Sequence, residues 1–189
     1  GTPKTSVSSY YGGDIPWLRT QEVGSGDIWD TGIKITETGL KNSSAKMIPE
    51  NCIIIAMYGA TVGKVGVNKI PLSTNQACAN VQLNSEIAHY RYVYHFLLKQ
   101  YEYIKSLGAG SQTNINAKIV KNLLIPIPCP NDPEKSLKIQ QEIVRILDTF
   151  TELTAALTAA LTAREKQYAY YREQLLSFEE GEVEWKALG

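Results

Sequence analysis

The sequence has little cysteine and little histidine, and their spacing argues against two kinds of site. The three cysteines are odd in number, widely separated and without a Cys-x-x-Cys pair, a pattern that indicates neither a disulfide framework nor a zinc site. Cys52 and Cys78 fall in apolar stretches, so we expect them to be small core residues. His89 and His95 are six residues apart, on different faces of a predicted helix, which argues against a metal site built from this pair.

Familiar enzyme motifs are also missing. The sequence contains no Asn-Pro-Pro-Tyr, Gly-x-Gly-x-x-Gly, His-Glu-x-x-His or Gly-x-Ser-x-Gly, so the usual signatures of methyltransferases, dinucleotide-binding enzymes, metalloproteases and hydrolases are absent. The acidic residues of "NDPEK" lie where a helix is expected to begin, and helix capping accounts for them better than a nuclease carboxylate cluster. We therefore expect no catalytic residue, metal or cofactor in this chain.

The chain also lacks a long hydrophobic run and a net charge. No apolar segment reaches membrane length and no signal peptide opens the sequence, so we expect a cytoplasmic protein without a membrane partner. The 19 basic and 19 acidic residues cancel, but residues 1–135 carry 13 Lys/Arg against 10 Asp/Glu, and residues 136–189 carry 6 against 9. A mildly basic body followed by an acidic tail permits a polyanionic partner without requiring one.

The body of the chain predicts a mixed β-sheet with one packed helix. Residues 53–58 form a continuous apolar run typical of a buried strand, with residues 65–68 as its hairpin partner, and further strands are expected near 15–20 and 77–83. Residues 86–106 predict one amphipathic helix. We expect Ile53, Ile54, Ile55 and Val81 to be buried under that helix. The fold class predicted is α+β, a mixed β-sheet domain followed by a long coiled-coil α-helix.

The long helix is the clearest periodic feature. From residue 132 to 178 the chain has no internal Gly, and its only Pro is Pro133, which suits a first helical position with Asp132 as the cap. Apolar residues recur at alternating spacings of three and four, as in a coiled-coil seam. At 1.5 Å per residue such a helix is roughly 60–65 Å long. The domain before it is too small to cover it, so it needs another helix.

The stretch "IIIAMYGATVGKVGV", residues 53–67, raises the question of a nucleotide-binding P-loop. A P-loop needs four residues between its glycines, a Ser or Thr after the lysine, and a following helix. Gly59 and Gly63 have only three residues between them, Val65 follows Lys64, and a strand is expected next. Two interpretations remain: a glycine hairpin, or a tight loop whose backbone N–H groups and Lys64 contact a nucleic-acid backbone.

Taken together, the motifs resemble the specificity subunits of Type I restriction–modification systems. The resemblance rests on "GTPKTS", "YYGGDIPWLRTQEV", "IIIAMYGATVGKVGV", "STNQACA", "GSQTNINAKIVKNLLIPIP", "QQEIVRILDTF", "TAALTAALTAREKQYAYYREQLLSF" and "VEWKALG". Each stretch alone is weakly diagnostic. Together they follow the family's order and cover most of the chain.

The resemblance implies a target-recognition domain over residues 1–131, a conserved spacer and dimerisation helix over 132–179, and the start of a strand-like segment over 180–189. It also implies a subunit without catalytic activity, which reads a bipartite double-stranded DNA sequence and docks methyltransferase and restriction subunits. Those partners use S-adenosylmethionine, ATP and magnesium, whereas the chain itself holds no cofactor.

The chain departs from the family in length and order. Full family members carry two recognition domains and two spacers, and this chain has one of each. "VEWKALG" resembles a segment that opens a half, yet here it closes the chain. A half-length subunit, a fragment and a circularly shifted form all fit this order, and a homodimer through the long helix is the expected way to cover its seam.

We expect DNA contacts from three segments, residues 4–11, 58–64 and 111–118, where flexible glycine or serine accompanies amide, aromatic or cationic side chains. Phosphate contacts are expected from lysines and base contacts more from Gln112 and Asn114. The DNA-binding candidates are Lys4, Thr5, Tyr10, Tyr11, Arg19, Tyr58, Thr61, Lys64, Ser111, Gln112, Thr113, Asn114 and Lys118. The candidates for the dimer or partner-helix surface are Ile143, Ile146, Phe150, Leu153, Leu157 and Leu161.

Two other functions fit parts of the pattern. One is a methyltransferase or nuclease fragment, or the recognition part of a fused methyltransferase–nuclease, and the missing catalytic motifs weigh against turnover by this chain. The other is a coiled-coil scaffold that binds only protein. Salt-dependent DNA binding separates a scaffold from a recognition subunit, because neutralised phosphates give a negative salt slope.

Overall fold

The computed structural model describes residues 1–108, 114–179 and 181–189. Within these residues the chain forms eight strands and five α-helices. The strands are β1 (Tyr11–Leu18), β2 (Gly26–Ile28), β3 (Lys34–Ile35), β4 (Met47–Ile48), β5 (Ile53–Ala56), β6 (Val65–Asn68), β7 (Leu72–Thr74) and β8 (Cys78–Val81). The helices are α1 (Glu37–Lys41), α2 (Tyr90–Lys99), α3 (Tyr101–Ser106), α4 (Ala117–Lys121) and α5 (Pro133–Leu176).

The strands form two four-stranded sheets of mixed direction. In the first, ordered β3-β1-β7-β4, β1 runs parallel to β7 and the other neighbours are antiparallel. In the second, ordered β2-β6-β5-β8, β2 runs parallel to β6, and β5 is antiparallel to both β6 and β8. The predicted α+β class with a long helix is confirmed, and so is the hairpin of β5 with β6.

Strand β5 separates two apolar cores because its side chains alternate between the faces of the sheet. Ile53 and Ile55 pack towards the helices, whereas Ile54 packs between the two sheets with Leu18 and Leu72. A strand covered on both faces needs apolar side chains at every position, which explains the continuous run. Ile54 is buried as predicted, but its predicted place under the helix is wrong, since it faces the other sheet.

The first sheet follows the same alternation. Trp17 packs with Ile35 and Ala45 in a third core, while the next residue, Leu18, faces the second sheet. Three apolar layers therefore surround the two sheets. Val81, also predicted to be buried, is only half-buried, because β8 lies at the edge of its sheet.

The single helix predicted over residues 86–106 is two helices. Helix α2 ends at Lys99 and α3 begins at Tyr101, and Gln100 between them has φ −90° and ψ 8°. Helix α2 is amphipathic as predicted. The ψ near 0° at the break turns the chain, and the Ile104 side chain on α3 is then fully buried in the helix-side core.

Helix α5 begins as predicted at Pro133. The Asp132 Oδ1 atom accepts a hydrogen bond from the Lys135 backbone N–H at 3.0 Å, which satisfies a donor of the first turn. The helix continues to Leu176 over 44 residues. Despite this length, neither α5 nor any other helix in the described residues is apolar enough to cross a lipid bilayer.

A buried glutamine ties the first turns of α5 to the chain just before α2. Gln140 is 0% exposed. Its Oε1 atom accepts a hydrogen bond from the His89 backbone N–H at 2.8 Å, and its Nε2 atom donates to the Ile87 carbonyl at 3.0 Å and to the Ser136 Oγ atom at 3.1 Å. Because the buried amide is satisfied on both sides, it fixes this part of α5 without leaving an unpaired polar group.

The chain divides into two compact units, Gly1–Val144 and Arg145–Gly189. The first unit includes the first three turns of α5, so this division falls later than the expected boundary at residue 131. The reason is burial: Gln140 and Val144 belong to the interior of the first unit.

In the second unit, α5 carries an exposed apolar stripe. The exposed fractions of its side chains are 42% for Ile146, 62% for Phe150, 53% for Leu153, 62% for Leu157 and 60% for Leu161. The threonines between and just after them form hydrogen bonds to the carbonyls four residues earlier in their own helix, so their hydroxyl groups need no outside partner.

Both ends of the exposed stripe differ from its middle. Ile143, a candidate for the partner-helix surface, is half-buried against the helix-side core of the first unit. The strand-like segment predicted over 180–189 is not a strand: residues 181–189 are turn and irregular chain, and Trp185 is 82% exposed. A strand needs a hydrogen-bonded neighbour, and the described residues of the second unit contain no other strand.

Candidate nucleic-acid interface

The turn between β5 and β6 is a closed hairpin turn. The Gly63 N–H donates to the Ala56 carbonyl, and the Ala56 N–H donates to the Lys64 carbonyl, both at 2.9 Å. Gly59 and Gly63 have φ of +79° and +81°, a region in which residues other than glycine are strained. Strand β6 follows Lys64 directly, so no α-helix begins after this lysine to receive a nucleotide phosphate. This agrees with the rejection of a P-loop on the spacing of the glycines.

A second segment packs on this turn. The Thr61 Oγ1 atom donates a hydrogen bond to the Thr20 carbonyl at 2.7 Å. Next to it, the Arg19 guanidinium forms an ion pair with Glu22 at 2.8 Å, and the other carboxylate oxygen of Glu22 accepts from the Gly32 N–H at 2.7 Å. The charge of Arg19 is thus already compensated within the chain.

A third segment joins the same end of the second sheet. The Ile115 N–H donates to the Met57 carbonyl at 3.0 Å, and Ile115 is 0% exposed. The Asn116 side chain then caps α4 by accepting hydrogen bonds from the Lys118 and Ile119 N–H groups at 2.9 and 3.0 Å. Lys118 itself is exposed. We call the three segments, residues 19–22, 57–64 and 114–118, the hairpin-end surface.

Five of the DNA-binding candidates lie on this surface: Arg19, Tyr58, Thr61, Lys64 and Lys118. Asn114 lies on it too and is half-buried. The candidates Ser111, Gln112 and Thr113 lie outside the described residues. The hydrogen bond from Ile115 to Met57 joins distant parts of the sequence, so no local sequence motif could predict it.

The candidates near the start of the chain lie elsewhere. The Tyr11 hydroxyl donates to the Pro3 carbonyl at 2.7 Å, its ring meets the Trp17 ring edge-on at 6.1 Å, and the Tyr10 carbonyl accepts from the Thr36 N–H at 3.0 Å. Tyr10 and Tyr11 therefore lie at the opposite end of β1 from Arg19. At the rise of a strand, the eight residues from Tyr11 to Arg19 span up to about 26 Å. Lys4 and Thr5 are exposed in the turn leading to that end.

The charges of the first unit are compensated unevenly. Arg19, Lys34 and Arg91 form ion pairs at 2.8, 3.5 and 2.6 Å. Within the residues that the structure describes, Lys64 and Lys118 form none. The hairpin-end surface consequently presents positive charge that an external anion can neutralise.

The chemistry of the cysteines fits a structural role. Cys52 and Cys78 are buried as predicted, and burial raises the pKa of the Cys78 thiol to about 12. The thiol therefore stays protonated near neutral pH, whereas a nucleophilic or metal-binding cysteine acts as the thiolate. In the described residues no group of three or more His, Cys, Asp or Glu side chains is placed to hold a metal ion.

Comparison with known proteins decides the family. The model of the "Type I restriction modification DNA specificity domain" matches residues 1–164. The chain belongs to this family. The chain is 40% identical to the Escherichia coli "Type I restriction enzyme EcoprrI specificity subunit" over an alignment of 193 residues, which covers 97% of this chain and 47% of the relative. A shorter stretch of 65 residues is 77% identical to the Escherichia coli EcoR124I/EcoR124II specificity subunit and covers 34% of this chain and 16% of that relative.

Solved structures support the fold. The HsdS subunit from Thermoanaerobacter tengcongensis superimposes with a TM-score of 0.60 at 20% identity, over 84% of this chain and 36% of that one. The chain spans about half the length of the EcoprrI relative, which it matches over 97% of its own residues. The resemblance drawn from the motifs is confirmed.

Proposed function

We propose that this chain recognises a DNA sequence for a Type I restriction–modification complex. The observation that carries the proposal is the family match over residues 1–164, which contains the whole hairpin-end surface. Lys64 and Lys118 supply charge for the phosphate backbone, and Tyr58 and Thr61 supply groups suited to bases or sugars. Phosphate contacts position a protein on the duplex, and base contacts give specificity.

In this role the partners are double-stranded DNA and the methyltransferase and restriction subunits of the system, in the cytoplasm. The chain is non-catalytic and binds no cofactor. S-adenosylmethionine, ATP and magnesium belong to the partner subunits. The similarity to the EcoprrI specificity subunit over 97% of the chain supports this division of labour.

The same proposal includes a homodimer through the second unit. Burying a large apolar side chain is favourable by roughly 1.5–3 kcal/mol, and this free energy is not gained while Phe150, Leu153, Leu157 and Leu161 face water. The helix that carries them has no partner helix among the described residues of its own chain. A second copy offers an identical stripe, and a two-fold axis covers both stripes at once.

The composition of the stripe favours an antiparallel pair. At 100° per residue, the face of Leu157 and Leu161 continues through Arg164 to Tyr168 and Tyr171, which are 67% and 52% exposed. In a parallel pair in register, the two Arg164 guanidinium groups would face each other across the seam. An antiparallel pair separates them along the axis, which lowers this repulsion.

A two-fold dimer constrains the DNA that it reads. Because each recognition unit precedes its helix in the chain, antiparallel helices place the two units at opposite ends of the pair. DNA bound by both must share the dyad, so the proposed target is an interrupted inverted repeat whose gap is set by the helices.

The proposal is tested by producing the chain together with a Type I methyltransferase subunit and sequencing the modified bases of the host genome. We expect new methylation at one two-part site whose halves are inverted repeats. Cells that lack the chain provide the control. If the two proteins co-purify and no chain-dependent methylation occurs, the recognition role fails and a protein-binding scaffold is favoured.

Lys64 provides a direct test of the hairpin-end surface. Lys64→Ala should weaken binding to all duplexes about equally and reduce the slope of log K against log salt by about one, since one phosphate contact is lost. The measurement is fluorescence anisotropy of a labelled 30-base-pair duplex over a salt series. The matched control is Lys135→Ala, at the exposed start of α5. An unchanged slope for Lys64→Ala would place this turn off the DNA backbone.

A further inference from the structure

Helix α3 lies against the turn that carries Lys64. A Cβ atom built on Gly63 would lie 3.4 Å from the Tyr101 Cε2 atom and 3.6 Å from the Lys105 Cβ atom. These are ordinary van der Waals distances, so the face of α3 that bears Tyr101 and Lys105 packs directly on the residue before Lys64. Neither side chain belongs to the three segments that the sequence singled out.

The ammonium group of Lys105 is held near this contact. Its Nζ atom lies 5.7 Å from the centre of the Tyr101 ring, within the range of a cation–π interaction. The Lys105 side chain is half-buried, a degree of burial typical of a lysine whose methylene stem packs on the protein while its ammonium group stays near solvent. This arrangement restricts the positions that the charge can take.

Like Lys64, Lys105 forms no ion pair in the part of the chain that the structure describes. The two cationic side chains belong to packed neighbouring segments, and an anion bound beside both would be attracted by each charge. Lys135 provides a control site, because it lies at the start of α5 and away from α3. Gln140 on α5 contacts the chain just before the start of α2, and the ten residues of α2 separate its start from α3 by about 15 Å.

We propose that Lys105 is a second DNA-backbone contact, which forms with Lys64 a two-lysine clamp on one strand, and that Tyr101 positions it. This inference rests on the proposed DNA-binding function. It adds α3 to the hairpin-end surface and assigns Lys105 to phosphate rather than to bases, because a lysine ammonium acts as a point charge.

Lys105→Met tests the clamp, because methionine keeps an unbranched stem against Gly63 and Tyr101 and removes only the charge. We expect the salt slope of duplex binding to fall by about one and the affinity at 0.1 M salt to fall about eightfold. Lys105→Arg should keep the wild-type slope. Lys135→Met is the control and should also keep it. The double variant Lys64→Ala, Lys105→Met should lose about two from the slope.

The possible outcomes distinguish a failure of the two-lysine clamp from a failure of the proposed DNA binding. If the unaltered chain binds DNA with a salt-dependent affinity but Lys105→Met matches Lys135→Met, the clamp is wrong and DNA recognition stands. If the unaltered chain shows no salt-dependent binding, both fall. Thermal unfolding of each variant, monitored by circular dichroism, checks that a lost slope does not reflect a lost fold.

Discussion

Replacing Leu153 and Leu157 with glutamate should convert a dimer of this chain into a monomer. Both side chains are more than half exposed on the single chain, at 53% and 62%, so the monomer tolerates polar residues there. In the dimer, each buried leucine contributes about 1.5–3 kcal/mol. Four are lost per dimer, about 6–12 kcal/mol, which raises the dissociation constant at least about 10⁴-fold.

Light scattering coupled to size exclusion at micromolar concentration measures this change. The unaltered chain of 21.0 kDa should elute at twice that mass, and the double variant at the single mass. Ala155→Glu with Ala159→Glu is the matched control, because it places the same charges at the same spacing on the opposite face of α5, and it should remain dimeric. A monomeric unaltered chain with an intact helix would remove the dimer proposal.

Ile54→Ala should destabilise the first unit by roughly 2–5 kcal/mol. Ile54 is 0% exposed and packs between the two sheets with Leu18, Ile28 and Leu72. Truncation leaves a cavity between layers that are each held by their own hydrogen-bond ladder, so neither sheet can move freely to fill it. The loss should therefore be large for a single substitution.

Urea unfolding followed by circular dichroism gives the free energy of unfolding for this test. Ile87→Ala is the control, because the Ile87 side chain is 53% exposed, and its cost should stay within about 1 kcal/mol. A comparable small loss for Ile54→Ala would mean that the space between the sheets closes readily or that the sheets do not pack as described. A change in the slope of the free energy of unfolding against urea concentration would indicate a changed unfolded state instead.

The elements with local signals were predictable from the sequence. The glycines at 59 and 63 between two apolar runs indicated the β5–β6 hairpin, and Asp132 before Pro133 indicated the start of α5. Such features depend on backbone conformation and capping within a few residues. The order of the motifs then indicated the family before any contact was known.

Features that depend on distant contacts were not predictable. Periodicity showed that residues 53–56 are buried on both faces but not which isoleucine meets which layer. Tyr11 resembled a loop aromatic available to a ligand, yet its hydroxyl is engaged by the Pro3 carbonyl. In each case the deciding partner is set by tertiary packing, which overrides the local pattern.

The burial of Gln140 also limits how recognition units can be exchanged between relatives. Its side chain is bonded to Ile87 and His89, so a chimaera joined at residue 131 would pair one protein's glutamine with another protein's loop. A mismatch there leaves a buried amide unsatisfied, at about 1–3 kcal/mol. A recombinant that carries the donor sequence through Val144 keeps the bond intact. The transferable module therefore includes three turns of the helix that follows it.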